Sequence, residues 1–311
     1  MLTFSQRTHK LSLTPRAPDS ELCPMPFIVG SARSGTTLLR FMLDAHSELA
    51  IPPETGFFTT ISKLKGSGEK LKDVFFRAIV NYPETAPSWP DFEIPQETFR
   101  RALTEIEPFN ISEGYRAFYR LYAARLGKSR WGDKTPIHCL YLTTIRHVLP
   151  EAHFIHLIRD GRDAALSLRE MWFSPGFDIE VQASYWRDCV MAARRDGAGC
   201  ADYIEIRYED LICNPQETLN RVCAHVGLSF ESSMLNYYMH PAERLKEHKA
   251  RSRCDGTAGL TVEQRFRQQR LTTTPPDVTR VFAWKRTMGA EERSRFEAIA
   301  GDLLEELGYE V

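Results

Sequence analysis

A glycine-framed loop between an apolar run and an amphipathic stretch constrains this chain more than any other part of it. Phe27, Ile28 and Val29 form the run, and Gly30 and Gly35 then enclose four residues. Thr36 and Thr37 open a segment in which Leu38, Leu39, Phe41, Met42 and Leu43 can supply a buried side. The pattern predicts a buried strand, a tight loop and a helix start. That order is the recipe for holding a phosphate: backbone N–H groups converge on the anion, and the unpaired donors of the first helical turn add partial positive charge. The spacing is that of a P-loop, with one departure. Thr36 stands where a P-loop nucleotidase carries Lys, and the nearest cation is Arg33, inside the loop. A kinase or ATPase without that Lys loses its grip on the transferred phosphoryl group. The loop is therefore expected to hold a phosphate-like group of another kind, against the plainer reading that the glycines only frame a strand-to-helix turn.

The rest of the chain alternates strands and helices, which predicts an α/β fold with a P-loop-type parallel sheet flanked by helices. A short strand over 49–51 is stopped by Pro52 and Pro53, which stiffen the exit and direct Glu54. Residues 56–127 carry helical periodicity over 71–80, 97–106 and 114–126, interrupted by a Pro- and aromatic-rich stretch over 81–95. That block is long for a crossover and reads as an inserted helical subdomain that shapes a substrate pocket. Strands are expected over 129–132, 153–158 and 203–207, with helices over 137–149, from 161 through 168, over 179–195 and from Pro215. Residues 241–276 turn charged and irregular, and read either as a lid or as a solvated excursion. A helix over 290–307 closes a single α/β domain spanning 26–311, after a loosely held arm over 1–25.

Composition narrows the function classes. A chain of 311 residues with a formal net charge of −1 is no general polyanion partner, so nucleic acid is not expected and any basic site must be local. The 7 cysteines are scattered without a Cys-x-x-Cys pair, which points to a reducing compartment rather than to disulfides or zinc. No apolar run reaches membrane-spanning length and no signal-peptide pattern opens the chain, so a cytoplasmic protein without membrane contact is expected. His138, His153 and His156 do not have metal-ligand spacing, and no metal is expected. Trp172, Phe173 and Phe177 are readable as an acceptor-pocket lining or as core.

In a parallel sheet, ligands sit beyond the carboxyl ends of the strands. Arg33, Glu54, Lys134, Arg159 and Tyr208 each follow a different predicted strand at that end, which would build one crevice for an anionic ligand. Ser167 lies two helical turns beyond the start of the helix after Arg159, so both can close on one phosphate.

The run from Gly30 to Thr37, the segment from Trp131 to Leu168 and Ile206-Arg-Tyr-Glu-Asp-Leu211 resemble the sulfotransferases that use 3′-phosphoadenosine 5′-phosphosulfate (PAPS). The branch most similar to it includes the tyrosylprotein sulfotransferases and many bacterial enzymes. The likeness extends to Val281-Phe-Ala-Trp284-Lys285-Arg286 and the helix after it. It implies that Arg33, Ser34, Gly35, Thr36 and Thr37 wrap the 5′-phosphosulfate, and that Arg159 and Ser167 bind the 3′-phosphate. Tyr208 would lie near the adenosine, with Lys285 and Arg286 closing over the donor. Glu54 matches the position of the branch's general base and Lys134 that of its catalytic lysine, and the family needs no metal.

That chemistry suits the residue types. An acceptor hydroxyl or amine of a small molecule would attack sulfur in line with the leaving bridging oxygen, with Glu54 taking its proton. Arg33 and Lys134 would offset charge growing on the sulfuryl and bridging oxygens. His138, close to Lys134, is the reserve for the base. A P-loop kinase using ATP and Mg²⁺ and a non-catalytic nucleotide-binding protein are the alternatives. The acceptor and the oligomeric state are not legible in the letters.

Overall fold

Alternation in one short strand organises the molecule. In the computed structural model, which describes residues 23–239, 247, 249–250 and 261–311, β1 (Met25–Val29) is buried along its whole length. Phe27 and Val29 face one core while Ile28 faces another, as the two-residue period of a strand requires. α1 (Thr36–Asp44) and β2 (Leu49–Ala50) follow. The helical stretch holds α2 (Gly68–Val80), α3 (Gln96–Thr104) and α4 (Ile111–Arg125). The chain then returns through β3 (Arg130–Trp131), β4 (Asp133–Lys134), α5 (Leu142–Val148) and β5 (Ala152–Ile158). After these come α6 (Gly161–Arg169), α7 (Ile179–Gly197), β6 (Tyr203–Arg207), α8 (Tyr208–Cys213) and α9 (Pro215–His225). The expected arm lies almost wholly, and the expected lid partly, outside the described residues.

The main sheet has the order β4-β1-β5-β6 with every pair parallel. Its register decides what meets at the carboxyl edge. Ile28 pairs with both Lys134 and Ile155, and Ile158 pairs with Arg207. The loop after β1, Lys134, Arg159 and Tyr208 therefore emerge side by side. Glu54 arrives differently from the expectation. Its strand, β2, pairs in parallel with β3 as a separate two-stranded sheet, so Glu54 reaches the edge from beside the main sheet.

β5 is buried enough to read as a continuous apolar run, except for its histidines. His156 is 0% exposed and lies 2.6 Å from the Tyr203 hydroxyl. That hydroxyl gives its proton to Glu205 at 2.8 Å, so the imidazole is the donor to Tyr203. The helix expected over 137–149 is split: Pro136–Leu140 forms a 3-10 turn, and Tyr141, at φ −130 and ψ 15, separates it from α5.

The helical stretch is sewn to the sheet by aromatic packing rather than standing apart. Phe58 stacks on Tyr115 at 4.6 Å, and Phe27 of β1 meets Phe58 edge-on at 5.9 Å. Each such buried ring contributes about 1.5–3 kcal/mol relative to exposure. Asn110 caps α4 by accepting from the Glu113 N–H at 2.9 Å. On the opposite face α1, α8 and α9 cover Ile28, Ile155 and Ile206. A third cluster joins α6, α7 and the closing helix Ala290–Glu306. Among the described residues no helix is long and apolar enough to cross a membrane.

Candidate functional site

The glycine-framed loop folds as a tight cradle. Gly35 has φ 94, and a Cβ there would lie 2.4 Å from the Tyr208 ring, so only glycine fits the turn. Arg33 itself is left-handed at φ 69. No side chain caps α1 at Gly35, which leaves its first-turn donors to the cavity beyond. Ala32, Arg33, Gly35, Thr36 and Thr37 line that cavity. Ser34 corrects the expectation: its side chain is 1% exposed and turned inward, its hydroxyl 2.7 Å from that of Ser31. It braces the loop from behind.

Arginines converge on the loop from distant parts of the chain. The Arg33 Nε donates to the Ser167 hydroxyl at 3.1 Å. Arg159, at the exit of β5, donates to the carbonyls of Arg33 at 3.3 Å and Arg280 at 3.0 Å, and lies over the Tyr208 ring at 4.6 Å. Asp163 pairs with it at 3.5 Å. Burial, and after it the like charge of Arg159, hold the Arg33 guanidinium below its ordinary value; Glu54 opposes them and Arg280 adds to them. The buried Nε atoms of Arg159 and Arg280 have no hydrogen-bond partner among the described residues. A dense local positive charge is what an anionic ligand would relieve.

Arg280 was not foreseen, and the cations expected from its segment face elsewhere. Lys285 pairs with Glu310 at 2.5 Å and Arg286 donates to the Thr279 carbonyl; neither lines the cavity, whereas Arg280 does. Trp284 supplies the reason. Its backbone N–H is held by Asp163 at 2.8 Å and its indole N–H by Asp160 at 2.9 Å. Pinned to the start of α6, the short helix Trp284–Thr287 turns Lys285 and Arg286 away and leaves Arg280 at the cavity wall.

Beside the arginines sits an acid–base pair. Lys134 is 2% exposed, and its ammonium donates to the Glu54 carboxylate and to the Thr37 hydroxyl at 3.1 Å. Burial pulls the lysine below its ordinary value; Glu54 opposes that shift, and Arg40 adds to it. The Glu54 side chain keeps 52% exposure and lines the cavity. His138 is not a competitor. It is 0% exposed, lies 3.1 Å from Asp133, and packs against Phe27 and Phe58 in the core.

The cavity that these groups share measures about 450 Å³. Trp172 and Phe173 line it, whereas Phe177 stands apart at 80% exposure. The described part of the expected lid contributes Arg265, Gln269 and Thr272 to the wall. Arg265 is tied there by two hydrogen bonds to Asp91, at 2.8 and 2.7 Å. Among the described residues no group of His, Cys, Asp and Glu is arranged to hold a metal ion.

The sequence profile of the Sulfotransferase family matches residues 24–232, a span that holds the loop, Glu54, Lys134, Arg159, Ser167 and Tyr208. The chain belongs to that family. This sulfotransferase is 25% identical to nodulation protein NoeE of Sinorhizobium fredii, over 93% of this chain and 68% of the relative. It is 24% identical to protein-tyrosine sulfotransferase A of Caenorhabditis elegans, over 69% of this chain and 52% of the relative. It thus spans about half the length of that tyrosine sulfotransferase. Among solved structures, the sulfotransferase domain from the curacin biosynthetic pathway superposes with a TM-score of 0.59 at 20% identity, covering 94% of this chain and all of that one. The domain from the Synechococcus PCC 7002 olefin synthase gives 0.59 at 22% identity, covering 95% and 98%. These likenesses establish the sulfotransferase fold, with its parallel sheet between helices.

Proposed function

We propose that this sulfotransferase moves a sulfuryl group from PAPS to a hydroxyl or amine of a small-molecule acceptor. The observation that carries the reading is the meeting, in one cavity, of the Glu54–Lys134 pair with Arg33, Arg159 and Arg280. The residues fit the donor. No side chain caps the first-turn N–H groups after Gly35, and Arg33, Arg159 and Arg280 line the same cavity. A cavity of about 450 Å³ is in the range of small-ligand sites. PAPS supplies an activated sulfuryl group on a 5′-phosphate leaving group.

The chain's own residues divide the work. Arg33 and residues 35–37 bind the 5′ end, with Gly35, Thr36 and Thr37 supplying donors and Arg33 a fixed charge. Arg159 and Ser167 take the 3′-phosphate; the Ser167 hydroxyl accepts from Arg33 and keeps its proton to give. Tyr208, already beneath Arg159, faces the adenosine side. Arg280 takes the closing position that sequence likeness had offered to Lys285 and Arg286. Glu54 accepts the acceptor's proton, and Lys134, buried and charged, steadies oxygen as charge grows on it. Positioning and preorganised charge account for the rate in such a site.

Thermal stabilisation by adenosine 3′,5′-bisphosphate against ATP with Mg²⁺ tests the donor site. A ligand at 100 times its Kd adds about 2.7 kcal/mol, and the bisphosphate is expected to do so where ATP does not. A preference for ATP moves the protein to the kinase reading. Radiolabelled PAPS with a panel of phenols, alcohols, amines and a tyrosyl peptide tests the acceptor. Label on the peptide alone reassigns the acceptor class, and label on nothing favours a binding protein.

A further inference from the structure

Glu54 lies beyond the end of β2 and outside both ladders, yet it meets Lys134 of the main sheet within hydrogen-bond distance. Side chains alternate along a strand, so Lys134 faces the cavity while its neighbour Asp133 turns into the core at 0% exposure. There Asp133 gathers donors from separate elements. The Thr55 hydroxyl donates to its Oδ2 at 2.7 Å, the Tyr119 hydroxyl of α4 to the same oxygen at 3.0 Å, and His138 stands 3.1 Å from its Oδ1. The other neighbour of Lys134 reaches the same loop. The Thr135 hydroxyl accepts from the backbone N–H of Thr55 at 3.1 Å and of Gly56 at 3.4 Å. Thr55 is 0% exposed and Thr135 3%.

The two residues that flank Lys134 thus hold the residue that follows Glu54, by side chain and by main chain. We propose that Asp133 and Thr135, acting through Thr55, are positioning residues that set the Glu54 carboxylate against the Lys134 ammonium. Asp133 lies outside the cavity lining, and Thr135 borders it beside Lys134. Their effect is on how often the base and the lysine stand in reactive geometry, where a displacement of about 1 Å can cost about a hundredfold in rate. The arrangement also keeps the buried carboxylate charged. Burial pushes the Asp133 carboxyl up, but the contact with His138 and the bonds from Thr55 and Tyr119 outweigh it and hold it below the ordinary range. That charge lies beside Lys134 and favours its ammonium, together with Glu54 and against Arg40.

Crystal structures and kinetics of Thr55→Val, Thr55→Ser and Tyr119→Phe, each with adenosine 3′,5′-bisphosphate, test the idea. Thr55→Val keeps the branched shape and loses the hydroxyl. Its kcat with labelled PAPS and 2-naphthol is expected to fall about tenfold to a hundredfold, with bisphosphate affinity kept within about twofold and the Glu54–Lys134 contact opened. Thr55→Ser restores the contact and returns kcat to within about threefold. Tyr119→Phe cuts a bond to the same Asp133 oxygen from the far side, and is expected to lower Tm with the contact intact. An unchanged contact or an unchanged kcat in Thr55→Val overturns the proposal. So does an equal fall of kcat in Tyr119→Phe, which would make the network merely structural. Should Thr55→Val not fold, Asp133→Asn, which conserves volume and an acceptor oxygen, takes the same readouts. The inference rests on the catalytic reading of Glu54 and Lys134. A wild type that sulfates no acceptor defeats that reading, while the contact seen in the Thr55→Val crystal still decides the network.

Discussion

Gly35→Ala should damage the proposed donor site, and its cost can be worked from geometry. At φ 94 the backbone is in territory where an L side chain is strained, worth about 1–2 kcal/mol. The new Cβ would also stand 2.4 Å from Cδ2 and 2.8 Å from Cε2 of Tyr208. Ordinary contacts need roughly 1 Å more, so the ring must yield, and overpacking of this kind costs about 1–3 kcal/mol. The sum is about 2–5 kcal/mol, a large share of the roughly 5–15 kcal/mol that typically holds a folded protein. Because Arg159 lies over that ring at 4.6 Å, displacement of the ring also moves a proposed phosphate ligand. Denaturant unfolding of Gly35→Ala, Tyr208→Ala and the double variant separates the contributions. The double variant should recover about 1–3 kcal/mol relative to the sum of the singles, since removing the ring removes the overlap and leaves the strain. Additive losses, or a Gly35→Ala protein of wild-type stability and wild-type affinity for adenosine 3′,5′-bisphosphate, would refute the reasoning.

Other substitutions separate the proposed functions. Glu54→Gln should keep bisphosphate affinity and lower turnover by about 10²–10⁴-fold; undiminished turnover in a sulfuryl-transfer assay would assign the base elsewhere. Arg159→Ala should weaken binding of adenosine 3′,5′-bisphosphate by about 10- to 150-fold, from about 1.5–3 kcal/mol per charge-assisted bond, and binding of AMP far less. Equal losses by calorimetry would remove Arg159 from the 3′-phosphate. In the proposed mechanism the charged form of Lys134 is the useful one, and burial lowers its ordinary value of 10.5. Turnover should therefore fall as pH rises through a midpoint below 10.5, and a pH–rate profile with a higher midpoint would contradict it. His156 is pushed down by burial from 6.5 to about 3. The unfolded chain takes up that proton first as pH falls, so stability should be lost between those values, by up to about 1.4 kcal/mol per pH unit. His156→Phe should flatten that slope in pH-dependent unfolding, whatever it does to stability at neutral pH.

The legible parts of the molecule are those whose physics is local. β1, the glycine turn and α1 follow from apolar runs and from a backbone that only glycine allows. β5 announced itself by the same means, and its register with β1 placed Arg159 beside the loop. The failures come from long-range pairing. Leu49–Ala50 reads as a strand but carries nothing to say that it pairs with Arg130–Trp131 instead of joining the main sheet. Ser34 has the sequence position of a ligand contact and the hydrogen bond of a brace. Arg280 sits in an irregular stretch with no periodicity, and its aim depends on Trp284 being caught by Asp160 and Asp163, far away in sequence. Nothing in the letters marks Asp133; only the fold shows the donors it collects from Thr55 and Tyr119.

The carbonyl of Arg280 rests on Arg159, whose other amine holds the carbonyl of Arg33. The three contributors are strung across the early, middle and late portions of the polypeptide. A chain emerging from the ribosome can pair its first strand, loop and helix with the middle strands long before Arg280, a wall of the proposed nucleotide pocket, has been translated. The proposed nucleotide capture would then wait for Arg280, and retention on an immobilised bisphosphate would serve as a sieve for molecules in which that wall has closed.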